Sequence, residues 1–350
     1  MISQLLDIEL PIVQAPMAGV QDATLAAAVC NAGGLGSLPC AMSTSESLEL
    51  EIARLQSLTD RPFNLNFFCH SPDQVTATQQ ENWLDCLRGY FEELDITPPK
   101  PTAGPLRQPF SEESLALLER FKPAVVSFHF GLPRAEWVQQ IKHWGIKILS
   151  TATTVQEAVW LADNGVDAVI AQGLEAGGHR GSFLTNDMTT QCGTLSLVPQ
   201  IRTAISLPII AAGGIAGPEA VAAAFALGSS GVQIGTAFLL CPESRASALH
   251  RAALKGDTAG HTALTNVFTG KPARSIVNRL VVEVGPMSAN TPPFPYAASA
   301  VSVLRQAHEA GGSADFTPLW SGQNTQGCRE IPAAQLLRHL ATGLEQQLSP

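Results

Sequence analysis

The segment AQGLEAGGHRGSF places a histidine among several glycines. Glycines let such a segment fold tightly against a ligand, and an imidazole with a pKa near neutrality is suited to general-base chemistry. We therefore predict that His179 is a catalytic base and that Gln172, Gly177 and Gly178 contact the bound ligand. Two interpretations of the adjacent Arg180 are open: it orients an anionic substrate, or it points outward into solvent.

Two further motifs could bind a phosphate group. LPIIAAGGIAGPEAV places Gly213 and Gly214 shortly before Pro218, a residue type favoured in the first turn of a helix. GVQIGTAFLL places Gly235 and Thr236 at the end of the next apolar run. Glycines permit close approach of the backbone, and amides at a helix N-terminus attract anions. The two motifs together predict a phosphate site, and the alternative is that these glycines only form tight turns.

Other candidate contacts lie at the ends of apolar runs or in the C-terminal WSGQN. QAPMAGV is expected to line the mouth of the site, and the second asparagine of FNLNFF carries an amide that could donate to a ligand carbonyl. A plain strand exit and a satisfied turn amide are the alternatives for these two segments. The predicted contacts in this group are Pro16, Met17, Ala18, Asn66, Gln233, Ser321 and Gln323.

Short β-branched runs alternate with amphipathic stretches such as Thr154–Asn164 and Pro218–Leu227. This alternation implies parallel strands, and eight repeats imply an α/β TIM (β/α)8 barrel. An open doubly wound sheet is disfavoured because PMAGVQD, not a GxGxxG fingerprint, follows the first strand. The eight predicted strands are Ile12–Met17, Gly34–Pro39, Phe63–Phe68, Ala124–Phe130, Lys147–Ala152, Ala168–Gly173, Pro208–Gly213 and Gly231–Thr236.

Two segments do not fit the barrel repeat. Residues 70–110 include the proline-rich TPPKPTAGP, which predicts a surface loop. Residues 242–300 contain a helical pattern, an extended segment and TPPFPYAAS. We predict that residues 1–241 and 301–350 form the barrel, and that residues 242–300 form a small helical insertion after the eighth strand, acting as a substrate or lid subdomain.

Composition excludes several classes of protein. The net charge is −9 without a run of Lys or Arg, so nucleic-acid binding is not expected. The seven cysteines are scattered without a CxxC pair, and no HxH or HExxH spacing occurs, so we expect no metal site and a reducing cytoplasmic location. No basic segment followed by a long apolar stretch and no apolar run of about 18 residues is present, so neither a signal peptide nor a membrane span is expected.

The chain resembles the nitronate monooxygenase family through QAPMAGV, NAGGLGSL, FNLNFF, AQGLEAGGHRG, IIAAGGIA, QIGTAFLLCPES and FTPLWSGQN. AGGHRG followed by QIGTAFLLCPES is typical of its class I branch. The resemblance implies a TIM barrel that binds FMN and oxidises alkyl nitronates with O2 to nitrite and a carbonyl compound. It implies that His179 is the base, that the predicted contacts bind FMN, and that the nitronate of 3-nitropropionate is a candidate substrate in detoxification.

Other functions are left open at this stage. Relatives with the same barrel and AGGH loop are flavin enoyl-acyl-carrier-protein reductases or NADH:quinone reductases, so an NAD(P)H-dependent reductase is the principal alternative. A non-enzymatic flavin-binding protein and a non-flavin, aldolase-type barrel are the others. Tyr296 is the only tyrosine near PPFPYAAS, where relatives carry further tyrosines and a lysine. The substrate contacts around it and the oligomeric state are therefore left open.

Overall fold

The computed structural model describes residues 2–71, 74–100 and 107–345. Its strands are β1 Ile12–Gln14, β2 Gly36–Pro39, β3 Phe63–Phe68, β4 Val125–His129, β5 Lys147–Ala152, β6 Ala168–Gln172, β7 Gly178–His179, β8 Ile209–Ala212, β9 Gly231–Ile234, β10 Thr262–Thr265 and β11 Ala273–Ile276. Residues 101–105 of the predicted proline-rich loop lie outside the described residues.

The helices connect these strands and cover the outside of the sheet. They are α1 Ile2–Leu6, α2 Ala23–Asn31, α3 Ser45–Leu58, α4 Ala77–Glu93, α5 Glu112–Phe121, α6 Ala135–His143, α7 Val155–Asp163, α8 Thr194–Ala204, α9 Pro218–Ala226, α10 Ala248–Lys255, α11 Arg279–Val284, α12 Ala297–Ala310 and α13 Ala333–Glu345. Two 3₁₀ turns span Met188–Thr190 and Thr236–Leu240. Within the described ranges, every helix is too short or too polar to cross a membrane.

Eight parallel strands form one sheet in the order β1-β9-β8-β6-β5-β4-β3-β2. The ring closes between its two ends: the Gln14 amide donates to Leu35 O at 2.9 Å, and the Leu35 amide donates to Ile12 O at 2.9 Å. The predicted TIM barrel and its eight strands are confirmed. The first strand ends at Gln14 rather than at Met17, because Pro16 has no N–H to continue the hydrogen-bond ladder.

Side chains fill the barrel at the amino-terminal ends of its strands, and the barrel is open at their carboxyl ends. Ile2 and Leu6 of α1 pack on the inward-facing side chains of the strands, including Val13, Val125 and Ile210. Outside the sheet, the apolar faces of the helices form the larger core. Because the amino-terminal end is filled in this way, the space for a ligand lies at the carboxyl ends of the strands, where TIM-barrel sites occur.

The chain after β9 builds a second packed region over that mouth. It contains α10 to α12 and an antiparallel sheet in the order β10-β11-β7, so the predicted extended segment supplies a strand that pairs with the histidine loop. Trp83 of α4 packs into the same apolar cluster as Phe268 and Leu304, and its Nε1 donates to Ala297 O at 3.2 Å. α12 runs through residue 300, the predicted boundary, and the division into two domains stays a prediction.

Candidate active site

A cavity opens at the carboxyl ends of the barrel strands and holds about 1390 Å³ of empty space, including its mouth. Walls come from the ends of all eight barrel strands or the loops that follow them, and from residues 320–324. The structure therefore brings most of the predicted residues into one place. Those that line the cavity are Pro16, Met17, Ala18, Asn66, Gln172, Gly177, Gly178, His179, Gly213, Gly214, Gln233, Gly235 and Thr236.

The C-terminal segment meets the cavity through other residues than predicted. Ser321 is fully buried, and its hydroxyl donates to Gly322 O at 3.1 Å, while Gln323 is exposed. Gly322 and Asn324 line the cavity instead. Successive residues of an extended segment point to opposite sides. Ser321 and Gln323 therefore face away from the cavity when Gly322 and Asn324 face it.

The loops after β6, β8 and β9 form a cradle made largely of backbone. Gly213 and Gly214 have φ values of +119° and +73°, which side-chain-bearing residues rarely adopt. A Cβ on Gly177 would lie 2.5 Å from Gly322 N, so that approach also requires glycine. The Gly322 amide donates to Thr236 Oγ1 at 2.9 Å and ties the C-terminal segment to this wall. Such a concave wall of backbone, beside the start of α9, fits an anion such as a phosphate.

Two side-chain amides of the barrel strands line the cavity and differ in their hydrogen bonding. Nδ2 of Asn66 donates to Ser127 Oγ at 2.9 Å, so this amide group is already engaged within the barrel. On β9, Gln233 Oε1 is buried without a hydrogen-bond partner among the described residues. A buried acceptor without a donor is costly, so Gln233 offers a position for a ligand N–H.

The loop that carries His179 is held by its backbone. Gln172 Nε2 donates to His179 O at 3.0 Å, and Gln172 Oε1 accepts from the Gly181 amide at 2.8 Å. His129 Nε2 lies 3.2 Å from the same His179 oxygen, and its Nδ1 lies 3.1 Å from Thr151 Oγ1. Because a carbonyl only accepts, His129 donates through Nε2. The position of the His179 backbone is thus fixed without use of its own ring.

The ring of His179 is surrounded by aromatic side chains and one hydroxyl. The Phe294 and Trp320 ring centroids each lie 5.4 Å from that of His179, and Nε2 lies 2.9 Å from Thr269 Oγ1. Burial lowers the pKa of His179 well below its ordinary value of 6.5, and the cation Arg107 lowers it further. The imidazole is therefore neutral at neutral pH and able to accept a proton.

Neighbouring cations lower the pKa of His179 in the same direction as burial does. Lys271, just before β11, does so through its positive charge, and the rings of His129 and His70 do so only when they are protonated. Burial itself lowers the pKa of His129 to about 3, so this ring is neutral as well. His129 also lines the cavity.

Neither interpretation of Arg180 is correct. The side chain is fully buried, and its guanidinium donates to Gln191 Oε1 at 2.7 Å, to Gly173 O at 2.6 Å and to Gln172 O at 2.6 Å. Burial lowers its pKa to about 10, which leaves it charged at neutral pH. Arg180 fastens the histidine loop to the end of β6, and faces neither substrate nor solvent.

The sequence argument missed three residues that line the cavity, Arg107, His250 and Trp320. It also missed Thr269 and Phe294, which contact the ring of His179. No local pattern marks them, because each lies outside the barrel strands, in a part of the chain whose path depends on tertiary packing. Arg107 is brought in by a hydrogen bond from the Phe110 amide to Phe68 O at 2.7 Å, at the end of β3. Among the described residues, no group of three or more His, Cys, Asp or Glu side chains could hold a metal ion.

A TIM barrel with a concave backbone wall on one side of its mouth and a neutral, aromatic-enclosed histidine on the other has the features of an enzyme site. Residues 1–343 match the model of the nitronate monooxygenase family. The chain belongs to this family of flavin-dependent enzymes and is an oxidoreductase.

Individual relatives agree with this assignment. A nitronate monooxygenase from Pseudomonas aeruginosa is 44% identical over 345 residues, covering 98% of each chain. One from Paraburkholderia phytofirmans is 41% identical, covering 98% of this chain and 94% of the relative. The crystal structure of a nitroalkane oxidase from Streptomyces ansochromogenes superimposes with a TM-score of 0.90 at 41% identity, covering 99% of this chain and 98% of that one.

Proposed function

We propose that this protein oxidises alkyl nitronates with O2, releasing nitrite and a carbonyl compound, with FMN bound in the cavity. We further propose that His179 removes the proton next to the nitro group when the substrate is a neutral nitroalkane. The observation that carries the proposal is the neutral His179 ring in the same cavity as the glycine cradle. Family membership supports the reaction class.

The residues of the cavity fit a flavin mononucleotide. Backbone at Gly213 and Gly214, with Gly235 and Thr236 beside them, would hold the phosphate, for the reasons of conformation and space given above. The unpartnered Gln233 Oε1 would accept from an N–H of the ring system. FMN, when bound, supplies the electron acceptor and the reactivity toward oxygen, while the protein supplies placement and exclusion of water.

The hydrogen bonds around Thr269 favour one nitrogen of His179 as the base. Thr269 Oγ1 lies 3.4 Å from Lys271 O, which can only accept, and 2.9 Å from His179 Nε2. The Lys271 amide also lies 3.5 Å from this oxygen. When the hydroxyl donates to Lys271 O, it accepts from Nε2–H. The lone pair of the neutral ring then lies on Nδ1, and this is the atom that we assign as the proton acceptor.

The surroundings of His179 favour this role. Phe294 and Trp320 present apolar surface to the ring, which limits water near the proton being transferred. The lowered pKa keeps the imidazole unprotonated, and general-base catalysis of this kind contributes about 10²–10⁴-fold in rate. A nitronate has already lost its proton, so its oxidation does not require the base.

The function is tested by anaerobic mixing of the purified protein with the nitronate of nitroethane while its flavin absorbance is recorded. We expect the oxidised-flavin absorbance to decrease without NAD(P)H, and nitrite to form after oxygen is admitted. The released flavin should be FMN and not FAD, since the cavity has one cradle for one phosphate. Flavin reduction by NAD(P)H but not by the nitronate would instead establish the reductase alternative.

A further inference from the structure

Trp320 is a partly exposed residue in the wall of the cavity. Within the described ranges of the chain, no residue accepts a hydrogen bond from its Nε1–H. The buried Trp83 differs, because its Nε1 donates to Ala297 O at 3.2 Å. A tryptophan N–H that is withdrawn from water normally has such a partner. The N–H of Trp320 is therefore available to a ligand in the cavity.

This N–H belongs to a ring that packs directly on the proposed base. The rings in contact with that of His179 are those of Phe68, Phe130, Phe294 and Trp320. The three phenylalanines have no polar atom, so Trp320 supplies the one hydrogen-bond donor of this set. Its ring centroid lies 5.4 Å from that of His179. A small substrate that contacts the imidazole therefore also lies beside the indole.

The backbone of Trp320 is held in place by β11. Trp320 forms an antiparallel bridge with Ser275, and the Ile276 amide donates to Leu319 O at 2.9 Å. The ring of Trp320 also meets that of Phe268 edge to face, with a centroid distance of 5.5 Å and an interplanar angle of 87°. A donor that is fixed before the reaction stabilises developing charge without the cost of reorientation.

Two cations near the cavity are placed differently. The guanidinium carbon of Arg107 lies 5.8 Å from the ring centroid of Phe294, and Nζ of Lys271 lies 4.8 Å from that of Phe130. Both act on His179 through their charge and lower its pKa. They favour negative charge in this part of the cavity, whereas the indole offers a directed hydrogen bond beside the base itself.

We propose that Trp320 is a further catalytic residue, whose Nε1–H donates a hydrogen bond to a nitro oxygen of the substrate. The proposal rests on the proposed function for the identity of the substrate. When the C–H bond next to the nitro group breaks, the proton goes to Nδ1 of His179 and the electron pair forms the C=N bond of the nitronate. The negative charge then lies on the nitro oxygens. The hydrogen bond from Trp320 strengthens as this charge develops, which lowers the barrier to proton removal.

The first test removes the N–H and keeps an aromatic ring. Trp320→Phe should lower kcat for neutral nitroethane about 10–100-fold, the range for one hydrogen bond to a charged group. The nitronate is charged before it binds, so its loss should appear mainly as a higher KM with little change in kcat. A structural defect would lower kcat on both forms, together with flavin content. The control is Trp160→Phe, since Trp160 is also partly exposed but packs on Phe183 outside the cavity and should change neither value.

The second test separates the N–H from the shape of the ring. Benzothienylalanine, incorporated at position 320, has the shape of tryptophan but carries sulfur in place of the N–H. It should show the same losses as Trp320→Phe on both substrate forms. Wild-type rates with benzothienylalanine, or an unchanged kcat for nitroethane in Trp320→Phe, would overturn the proposal.

The third test does not depend on oxidation of any nitronate. The flavin-loaded enzyme is mixed with excess nitroethane in D2O without oxygen, and the decrease of the α-proton signal in NMR spectra reports proton removal alone. Exchange should be slower in both position-320 variants by about the factor seen in kcat, and Trp160→Phe should match the wild type. If nitronates are not oxidised but exchange depends on the indole N–H, the proposed function fails while the role of Trp320 stands. Exchange at the wild-type rate in both variants would remove Trp320 from this step.

Discussion

At β8 and β9 the wall of the cavity is backbone, whereas at β3, β4 and β7 it is side chains. The first wall contains Gly213 and Gly214 at positive φ and carries no charged side chain aimed into the cavity. The second contains the His179 ring, Arg107 and several aromatic rings. A wall of amides suits an oxyanion that is the same in every catalytic cycle, while a wall of side chains suits a substrate that must be chosen and deprotonated.

The two walls should respond differently to substitution. On the cradle side, a side chain at Gly213 would meet Thr194 Oγ1 at 2.9 Å and Ala176 N at 3.1 Å, so most changes add atoms where there is no room. On the other side, the backbone of the histidine loop is fixed through His179 O and the Gly181 amide. The ring of His179 can therefore be exchanged without release of the loop. Substitutions on the first wall should affect flavin binding, and those on the second should affect rates.

The largest effect is expected for Gly214→Glu. Gly214 has φ +73°, and a Cβ there would lie 3.3 Å from Glu175 Cβ, so the new side chain meets both strain and crowding. Its carboxylate would also repel the phosphate that we place in the cradle. We expect purified Gly214→Glu to contain almost no FMN, measured as the flavin-to-protein absorbance ratio, while circular dichroism shows a folded barrel.

Gly145→Glu is the matched control for that variant. Gly145 also has a positive φ, +79°, but it is exposed beyond α6, and no atom lies within 4 Å of a Cβ added there. Backbone strain is therefore shared between the two variants, and only Gly214 lies in the cavity. Full flavin content in soluble Gly214→Glu would show that the phosphate binds elsewhere, and an equal loss in Gly145→Glu would show that strain alone explains the result.

The second largest effect is expected for His179→Asn. Activity on neutral nitroethane should fall about 10²–10⁴-fold, because the proton acceptor is lost, while activity on its nitronate is largely retained. The loop keeps its backbone hydrogen bonds, so FMN content should change little. Because the pKa of His179 is lowered below 6.5, wild-type kcat/KM for nitroethane should persist at neutral pH and decrease only as the pH falls through that lowered pKa.

His143→Asn, on the exposed surface of α6, controls for removal of a histidine elsewhere. Steady-state rates on nitroethane and on its nitronate are measured separately for both variants. Parallel loss on the two substrate forms, with FMN still bound, would contradict the role of base and indicate placement of the substrate instead. Unchanged turnover of nitroethane would remove His179 from the mechanism.

The same contrast explains what could be predicted from the sequence. Strands such as Ala168–Gln172 and Ile209–Ala212 are buried along their whole length and consist largely of apolar residues, so their number and order were predictable. The glycine motifs were predictable because few residues other than glycine adopt the backbone of Gly213 and Gly214. Backbone conformation depends mainly on residues that are close in the sequence. The glycines of the cradle could be predicted for that reason.

The directions of side chains in connecting segments cannot be predicted from the neighbouring sequence alone. Ser321 and Gln323 were predicted in the correct segment, but their alternate neighbours face the cavity. Arg180 follows His179 directly in the sequence, yet its side chain turns inward to the carbonyls at the end of β6. Arg107 reaches the cavity only because its loop is held at the end of β3. Each of these outcomes depends on contacts between segments far apart in the chain.

The smallest effect is expected for Thr269→Val, which tests how the side-chain wall positions its base. Valine keeps the shape of threonine but removes the oxygen that lies 2.9 Å from His179 Nε2. A hydrogen bond of this kind is worth about 0.5–1.5 kcal/mol, so the rate on nitroethane should fall up to about tenfold. The rate on its nitronate should change little, because that reaction does not use the base. Thr269→Ser, which restores the hydroxyl, should recover most of the loss.

The ratio of the nitroethane rate to the nitronate rate separates positioning from general damage. Thr269 is buried, so a merely structural defect would lower both rates, flavin content and thermal stability together, and serine would not restore the ratio. If Thr269 holds the Nε2–H tautomer, the ratio falls in valine and returns in serine while FMN content stays constant. An unchanged ratio in Thr269→Val would mean that Nδ1 is presented without help from the hydroxyl, and the hydrogen-bond chain from Nε2 through Thr269 to Lys271 O would have no part in catalysis.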